Sequence, residues 1–453
     1  MNLYLLFLER SFHFLRPGGH CGIVIPSGIY TDLGAKGLRN LLFEQTKIEG
    51  LFCFENRKEI FEGVHRSFKF VVLTFEKSAT PRLQAQGEQH NHKRASAPPN
   101  DLLAPQATAD KATGTLRFPA AFMRHNVEEL PRFPEEGALW LDVELIKRLS
   151  PDSHSVMEFK STADIAIAEK LLKFPLLGER IEGAWCLKLS QEFNMTTDSY
   201  LFKTAPAAGR LPLYEGKMIW QFDAKYATPR YWVEENHARQ VAKGKTSDQG
   251  QLLGYQNYRL GVRSIGRSTD DTFINCWSHS EKLLLMDNSL QLVSNITASD
   301  LSVVVVFCQG LLNSFIFDYW IRMTVSTNLN MFYIMQLPVP RLTASDPRFA
   351  PIVNRAAKLV CTSPEFDDLA KAVGLNPSTS SGRTGNAERA VYGVTDPAER
   401  AKLRAELDGL VAHLYGLTET EFAHILVTFP LVPQDVRDAA LVAYRDIVRG
   451  QTA

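Results

Sequence analysis

NLYLLFLERSFHFLRPGGHCGIVIPSG, residues 2–28, changes its hydrophobic period partway along. From Asn2 to Leu15 apolar side chains recur every three or four positions, which predicts a helix, and Pro17-Gly18-Gly19 stops it. GIVIP, Gly22–Pro26, is then a short unbroken apolar run, expected as a fully buried strand. Working outward, Leu33–Gln45 has helical spacing, and IEGLFCF (Ile48–Phe54) and FKFVVLTF (Phe68–Phe75) have strand composition. The order helix, strand, helix, strand, strand is that of the second half of a doubly wound α/β sheet, with a first half expected upstream of Met1.

Beyond this sheet, residues 78–115 are rich in Ala, Pro, Gln, Asn and His without periodicity, and are expected to form a flexible linker or insertion. Helical patterns resume over residues 116–180, with Ala163–Leu172 a helix capped ahead by Ser161 and Thr162. Residues 181–345 change character: aromatics, Gly and Pro rise, and β-like runs such as KMIWQF appear before a long apolar helix, Leu301–Trp320. Residues 346–453 read as a helical tail broken by a Ser/Gly/Thr-rich loop at Pro377–Thr384. The fold class expected is therefore α/β plus α+β, in two or three domains.

Composition excludes several classes. Lys and Arg (50) balance Asp and Glu (50), so any surface for a polyanion must be local. The six cysteines, Cys21, Cys53, Cys186, Cys276, Cys308 and Cys361, stand singly, with no metal-ligand spacing, and read as reduced thiols. Glu9 and Arg10 interrupt the apolar start, which is unlike a signal peptide, and no later run suits a membrane span. A cytoplasmic location is expected, with no membrane partner.

Candidate chemistry begins with absences. No strand is followed by GxGxxG, no GxSxG or HExxH occurs, and the only Pro-Pro pair, Pro98-Pro99, lies between Ala97 and Asn100. What stands out is Lys203–Arg267, where eleven Lys or Arg face five Asp or Glu. Lys217, Lys225, Arg230, Arg259, Arg263 and Arg267 alternate there with Trp220, Phe222, Tyr226, Tyr231, Trp232 and Tyr255. Cations that neutralise phosphates and flat side chains near base edges are what a DNA groove demands. A β-rich domain with an aromatic core and a charged solvated face would give the same composition.

Residues 2–28 resemble the segment that follows the catalytic Asn-Pro-Pro-Tyr turn in gamma-class adenine-N6 DNA methyltransferases, especially the type IIG restriction-modification enzymes. The resemblance, shared with phage-defence adenine methyltransferases, continues through residues 157–179, 192–202, 213–223, 259–272, 313–340 and 405–426. It implies the distal half of a Rossmann-like methyltransferase sheet over residues 1–77, a helical spacer over 116–180, a target-recognition domain over 181–345 and a helical tail. It also implies that the complete enzyme uses S-adenosyl-L-methionine, while this chain, lacking the cofactor and catalytic motifs, holds no cofactor alone.

In that family the target adenine is flipped out and an aromatic from a later hairpin stacks on it. IFEGVHRSFKFVVLTF, residues 60–75, is similar to that later motif, and Phe61 is the candidate stacker, or else an apolar residue under the sheet edge. The implied DNA contacts are Lys217, Gln221, Lys225, Arg230, Arg259, Arg263, Arg267, Ser268 and Thr269. Alternatively Ser268 and Thr269 cap a turn and Arg263 pairs with Asp270 or Asp271. The expected partners are double-stranded DNA and a chain carrying the upstream half. The rival reading is a non-enzymatic specificity subunit or an inactive remnant.

Overall fold

The computed structural model describes residues 2–78, 114–218, 220–223, 226–244, 246–256, 258–263, 276–279, 284–285, 288–292, 298–324, 331–377 and 392–450. The chain divides into two compact units, Met1–Asp164 and Ile165–Ala453.

The first unit opens with helix α1 (Leu3–Phe14), which buries Leu8 and Phe12 and leaves Leu3, Leu6, Phe7 and Phe14 exposed. Gly18, at φ +76°, turns the chain so that Gly18 N–H and Gly19 C=O bond to Lys77, and strand β1 (His20–Pro26) begins. Short helix α2 (Gly28–Thr31) and helix α3 (Lys36–Gln45) lead into β2 (Thr46–Glu55) and β3 (Lys69–Lys77). β4 (Arg117–Arg124), β5 (Leu139–Asp142) and helix α4 (Val143–Leu149) follow. The five strands form one mixed sheet in the order β1-β3-β2-β4-β5. β3 is antiparallel to both β1 and β2, so those two run the same way, and β2 pairs with β4 in parallel.

Two expectations change here. β1 is not fully buried: it is an edge strand, with Ile25 inside and Val24 51% exposed on the open face. The spacer expected to be helical from residue 116 begins instead with β4 and β5, which join the sheet. FPAAFM is apolar on both faces because β4 is an interior strand, and such a run carries neither the helical nor the strand period. The linker expected at 78–115 lies outside the described residues except at its ends. There Thr115 is buried, with its Oγ1 donating to Thr46 C=O at 2.6 Å and accepting from Ile48 N–H at 2.9 Å.

Helix α5 (Thr162–Leu171) lies one residue ahead of the predicted Ala163–Leu172, so Thr162 opens the helix rather than capping it, while Ser161 Oγ accepts from Asp164 N–H at 3.3 Å. In the second unit, β6 (Leu187–Gln191) precedes short α6 (Met195–Asp198), then β7 (Arg210–Tyr214), β8 (Tyr231–Glu234), α7 (Glu235–Lys243), β9 (Arg259–Val262), β10 (Cys276–His279), β11 (Leu284–Leu285) and β12 (Asn288–Leu292). They make a four-stranded sheet, β10-β9-β12-β6, and a three-stranded sheet, β11-β7-β8. Phe193, Leu211, Leu213, Val233, Ala238 and Tyr255 pack as a core beside the smaller sheet.

Instead of one helix over Leu301–Trp320 there are two, α8 (Ala298–Leu312) and α9 (Phe315–Thr324), bent by 65° at the break. The freed N–H of Phe315 is taken up by Asp408 Oδ1 at 2.8 Å, a cap supplied from the tail. Short α10 (Met331–Met335) precedes the predicted helical tail: α11 (Phe349–Val360), α12 (Asp367–Ala372), α13 (Pro397–Leu414), α14 (Glu419–Val427) and α15 (Gln434–Val448). Asp396 caps α13 ahead of Pro397, and Thr418 with Glu421 forms a capping box on α14. The loop expected at Pro377–Thr384 lies, after Pro377, outside the described residues. No single helix among the described residues is long and apolar enough to cross a membrane.

Candidate nucleic-acid interface

β1 and β2 finish at Pro26 and Glu55, level with Phe70 and Lys69 of β3, so their carboxyl ends lie on one side of the first unit. In open α/β sheets that side is where ligands are met. The loop joining β2 to β3 stands there. Its shape is set by Asn56, fully buried, whose amide nitrogen donates to Phe61 C=O (3.0 Å) and Val64 C=O (2.9 Å) while its oxygen accepts from Phe61 N–H (2.9 Å). Glu59 takes a left-handed conformation, φ 53°, and its carboxylate accepts from Arg66 Nε at 2.9 Å. A loop whose own carbonyls are bonded by one buried side chain holds a defined form.

Phe61 is thereby presented 44% exposed, edge-on to Phe70 at 4.7 Å between ring centres, with Phe70 stacked on Phe54. Around it Arg57 and His125 both reach the buried Glu55 carboxylate, at 2.7 and 3.0 Å. Below, Lys69 pairs with Glu158 at 2.6 Å, and Tyr30 Oη donates to the same carboxylate at 3.0 Å while lying 2.7 Å from Cys53 Sγ. Burial pushes the Cys53 thiol up to about 12 and raises Tyr30 well above its ordinary value, so both stay protonated at neutral pH. These groups are scaffolding under the loop rather than nucleophiles. Asn56 was not singled out in the sequence; its only signal is an Asn entering a Gly-containing turn.

The second unit scatters the expected DNA contacts. Lys217 is exposed and pairs with Glu215 at 2.9 Å. Arg230 is exposed with its guanidinium over the Tyr231 ring, 4.8 Å from the centroid. Tyr226, half exposed, stacks on Trp220 at 5.1 Å. Arg263 is half-buried just after β9. Lys225, Arg267, Ser268 and Thr269 lie outside the described residues.

Two expectations are corrected. Arg259 is 2% exposed and ion-paired with Glu192, a residue brought beside it by the sheet that β9 and β6 share, so it serves the interior and does not face a groove. Gln221 is buried, its amide nitrogen donating to Asn313 C=O at 3.3 Å, and the backbone of Gln221 and Phe222 is held by Arg404 and Arg400 of α13. Beside this turn is a cavity of about 210 Å³ lined by Trp220, Phe222, Phe315, Arg404 and Asp408 among others. Burial raises the Asp408 carboxyl to about 7, against the Phe315 N–H bond and Arg404, which act to lower it.

Residues 1–61 match the family model of the Eco57I restriction-modification methylase. No curated protein matches the sequence. Among solved structures, the type IIL restriction-modification enzyme MmeI in complex with DNA is similar at 11% identity and a TM-score of 0.44, over 97% of this chain and 53% of that one. The type IIG restriction endonuclease BpuSI is similar at 12% identity and a TM-score of 0.31, over 82% of this chain and 48% of that one. The chain spans about half the length of each of these structures. The similarity to the Eco57I restriction-modification methylases thus covers the first 61 residues, from α1 to the loop that carries Phe61.

Proposed function

We propose that this chain is the distal part of a site-specific, adenine-N6 DNA methyltransferase of a restriction-modification system, and that its own contribution is sequence-specific binding of double-stranded DNA. The observation that carries the reading is the family match over residues 1–61, which ends in the loop that Asn56 shapes and Phe61 tips. In this reading Phe61 stacks on the flipped adenine, and Lys217, Arg230 and Arg263, with Lys225, Arg267, Ser268 and Thr269, contact phosphates or bases.

S-adenosylmethionine belongs to the complete enzyme. The glycines present here do not suit it: Gly18 and Gly19 are closed against Lys77, and a Cβ at Gly28 would lie 2.4 Å from both Tyr4 Oη and Asp32 Oδ2. In this reading methyl transfer needs the family's cofactor-binding part, carried on this polypeptide or on another. The open edge of β1, with Val24 exposed, and the bare Leu3, Phe7 and Phe14 of α1 suit a part that continues the sheet.

The test is DNA binding by the purified chain across a salt series, wild type against Arg263→Ala and Arg267→Ala. Affinity that falls with salt, with a shallower slope in each variant, supports the reading. Binding absent at low salt refutes autonomous recognition.

A further inference from the structure

We propose that His20, Glu49 and Glu76 form a binding site for a single divalent transition-metal ion, zinc being the best chemical fit. The three residues come from three neighbouring strands, β1, β2 and β3. His20 and Glu76 are direct cross-strand partners. Glu49 is the residue at which the β2–β3 register slips: Ile48 pairs with Phe75 and Gly50 with Thr74, and Glu49 has no partner between them. A bulge of this kind adds one side chain to a face and re-aims it.

Neighbouring strands lie about 4.8 Å apart, so β1 and β2 are separated by roughly twice that with β3 between them. Even so, Glu49 Oε2 is 3.1 Å from His20 Nδ1. The two side chains therefore arch over β3 and converge above Glu76, where the three ligand atoms all lie within 4.8 Å of one another. Small side-chain rotations bring such a set to the roughly 2.0–2.2 Å that zinc requires of imidazole nitrogen and carboxylate oxygen. Glu76 carries no ion pair among the described residues, so a cation held here offsets two adjacent carboxylates.

The donor set argues for the ion. One imidazole with two carboxylates suits zinc and its first-row neighbours, whereas magnesium and calcium favour larger all-oxygen shells. His20 is exposed, so the fourth position opens to water. All three ligands stand on hydrogen-bonded strands rather than on loops, which favours a preformed site. An ion here ties β1 to β2 across β3, bracing the open edge of the sheet.

The experiment is calorimetric titration of the chelator-stripped full chain with ZnCl₂, repeated with MgCl₂ and on His20→Ala, Glu49→Gln and Glu76→Gln, with Co²⁺ absorption reporting coordination. All three positions are partly or fully exposed, and circular dichroism checks that the variants fold. The expected result is one equivalent of zinc per chain, unaffected by excess magnesium and weakened about 10-fold or more by each substitution. No saturable zinc binding, or one equivalent retained unchanged in all three variants, overturns the proposal.

Discussion

The loop after β2 and the strand β9 each centre on a polar side chain withdrawn from water, but to opposite ends. Asn56 disappears so that Phe61 and Arg57 can be displayed; Arg259 disappears because Glu192 lies beside it, and nothing is displayed in its place. Both stretches read in the sequence as facing nucleic acid. The difference teaches that a binding surface is organised by uncharged groups that satisfy loop backbone, and that a local excess of charge says little until each charge has been matched with its partner.

The sharpest break in that comparison comes from Arg259→Ala. It removes the buried ion pair with Glu192 and is expected to cost about 3–5 kcal/mol in urea unfolding. Intact stability with lost DNA affinity would return Arg259 to the surface set. Asn56→Ala leaves the Val64 carbonyl and the Phe61 N–H without their partner, while Phe61 C=O keeps Val64 N–H, and is expected to cost about 2 kcal/mol, with faster hydrogen exchange at the Phe61 amide. An unchanged exchange rate would show the loop to be shaped by something else.

Asp408 is a third buried polar group, and its sign differs. Its folded pKa, about 7, lies above the ordinary 3.8, so its contribution is fully present below about pH 3.8 and is lost as pH rises through 7. Relative to Asp408→Asn, the wild type is expected to lose on the order of 2 kcal/mol between pH 4 and pH 8, read from urea midpoints. A pH-independent difference contradicts this. The smallest effect on stability is expected for Arg230→Ala, within about 0.5 kcal/mol because the side chain is exposed, while the salt slope of DNA binding drops by about 0.9. An unchanged slope removes Arg230 from the interface.

Periodicity and capping made much of the fold legible. The alternation of α1, β1, α3, β2 and β3 follows from hydrophobic spacing, as does the helical character of the tail, whose caps at Asp396 and Thr418 only the structure brought out. β4 was illegible because an interior strand is apolar on both faces, and the break between α8 and α9 because its cap, Asp408, lies ninety-three residues from Phe315. The exposure of Val24 depends on which strand ends a sheet, which one strand's composition does not record. At the candidate site, Phe61 was named from its motif, and the structure shows only that it stands exposed on the loop. The roles of Asn56 and Arg259 depend on contacts that exist only after the loop closes and β6 and β9 join one sheet.

The place of β3 sets a timetable for synthesis. It is the last of the first three strands to be made, yet among the described residues it is the sole neighbour of β1 in the sheet. At about 5–20 residues per second, the stretch from Pro26 to Lys69 takes roughly 2–9 s to emerge. Through that interval β1 lacks β3, the strand it pairs with among the described residues. The first pairing of β1 in this sheet therefore waits for β3, and folding of this edge trails synthesis by that interval.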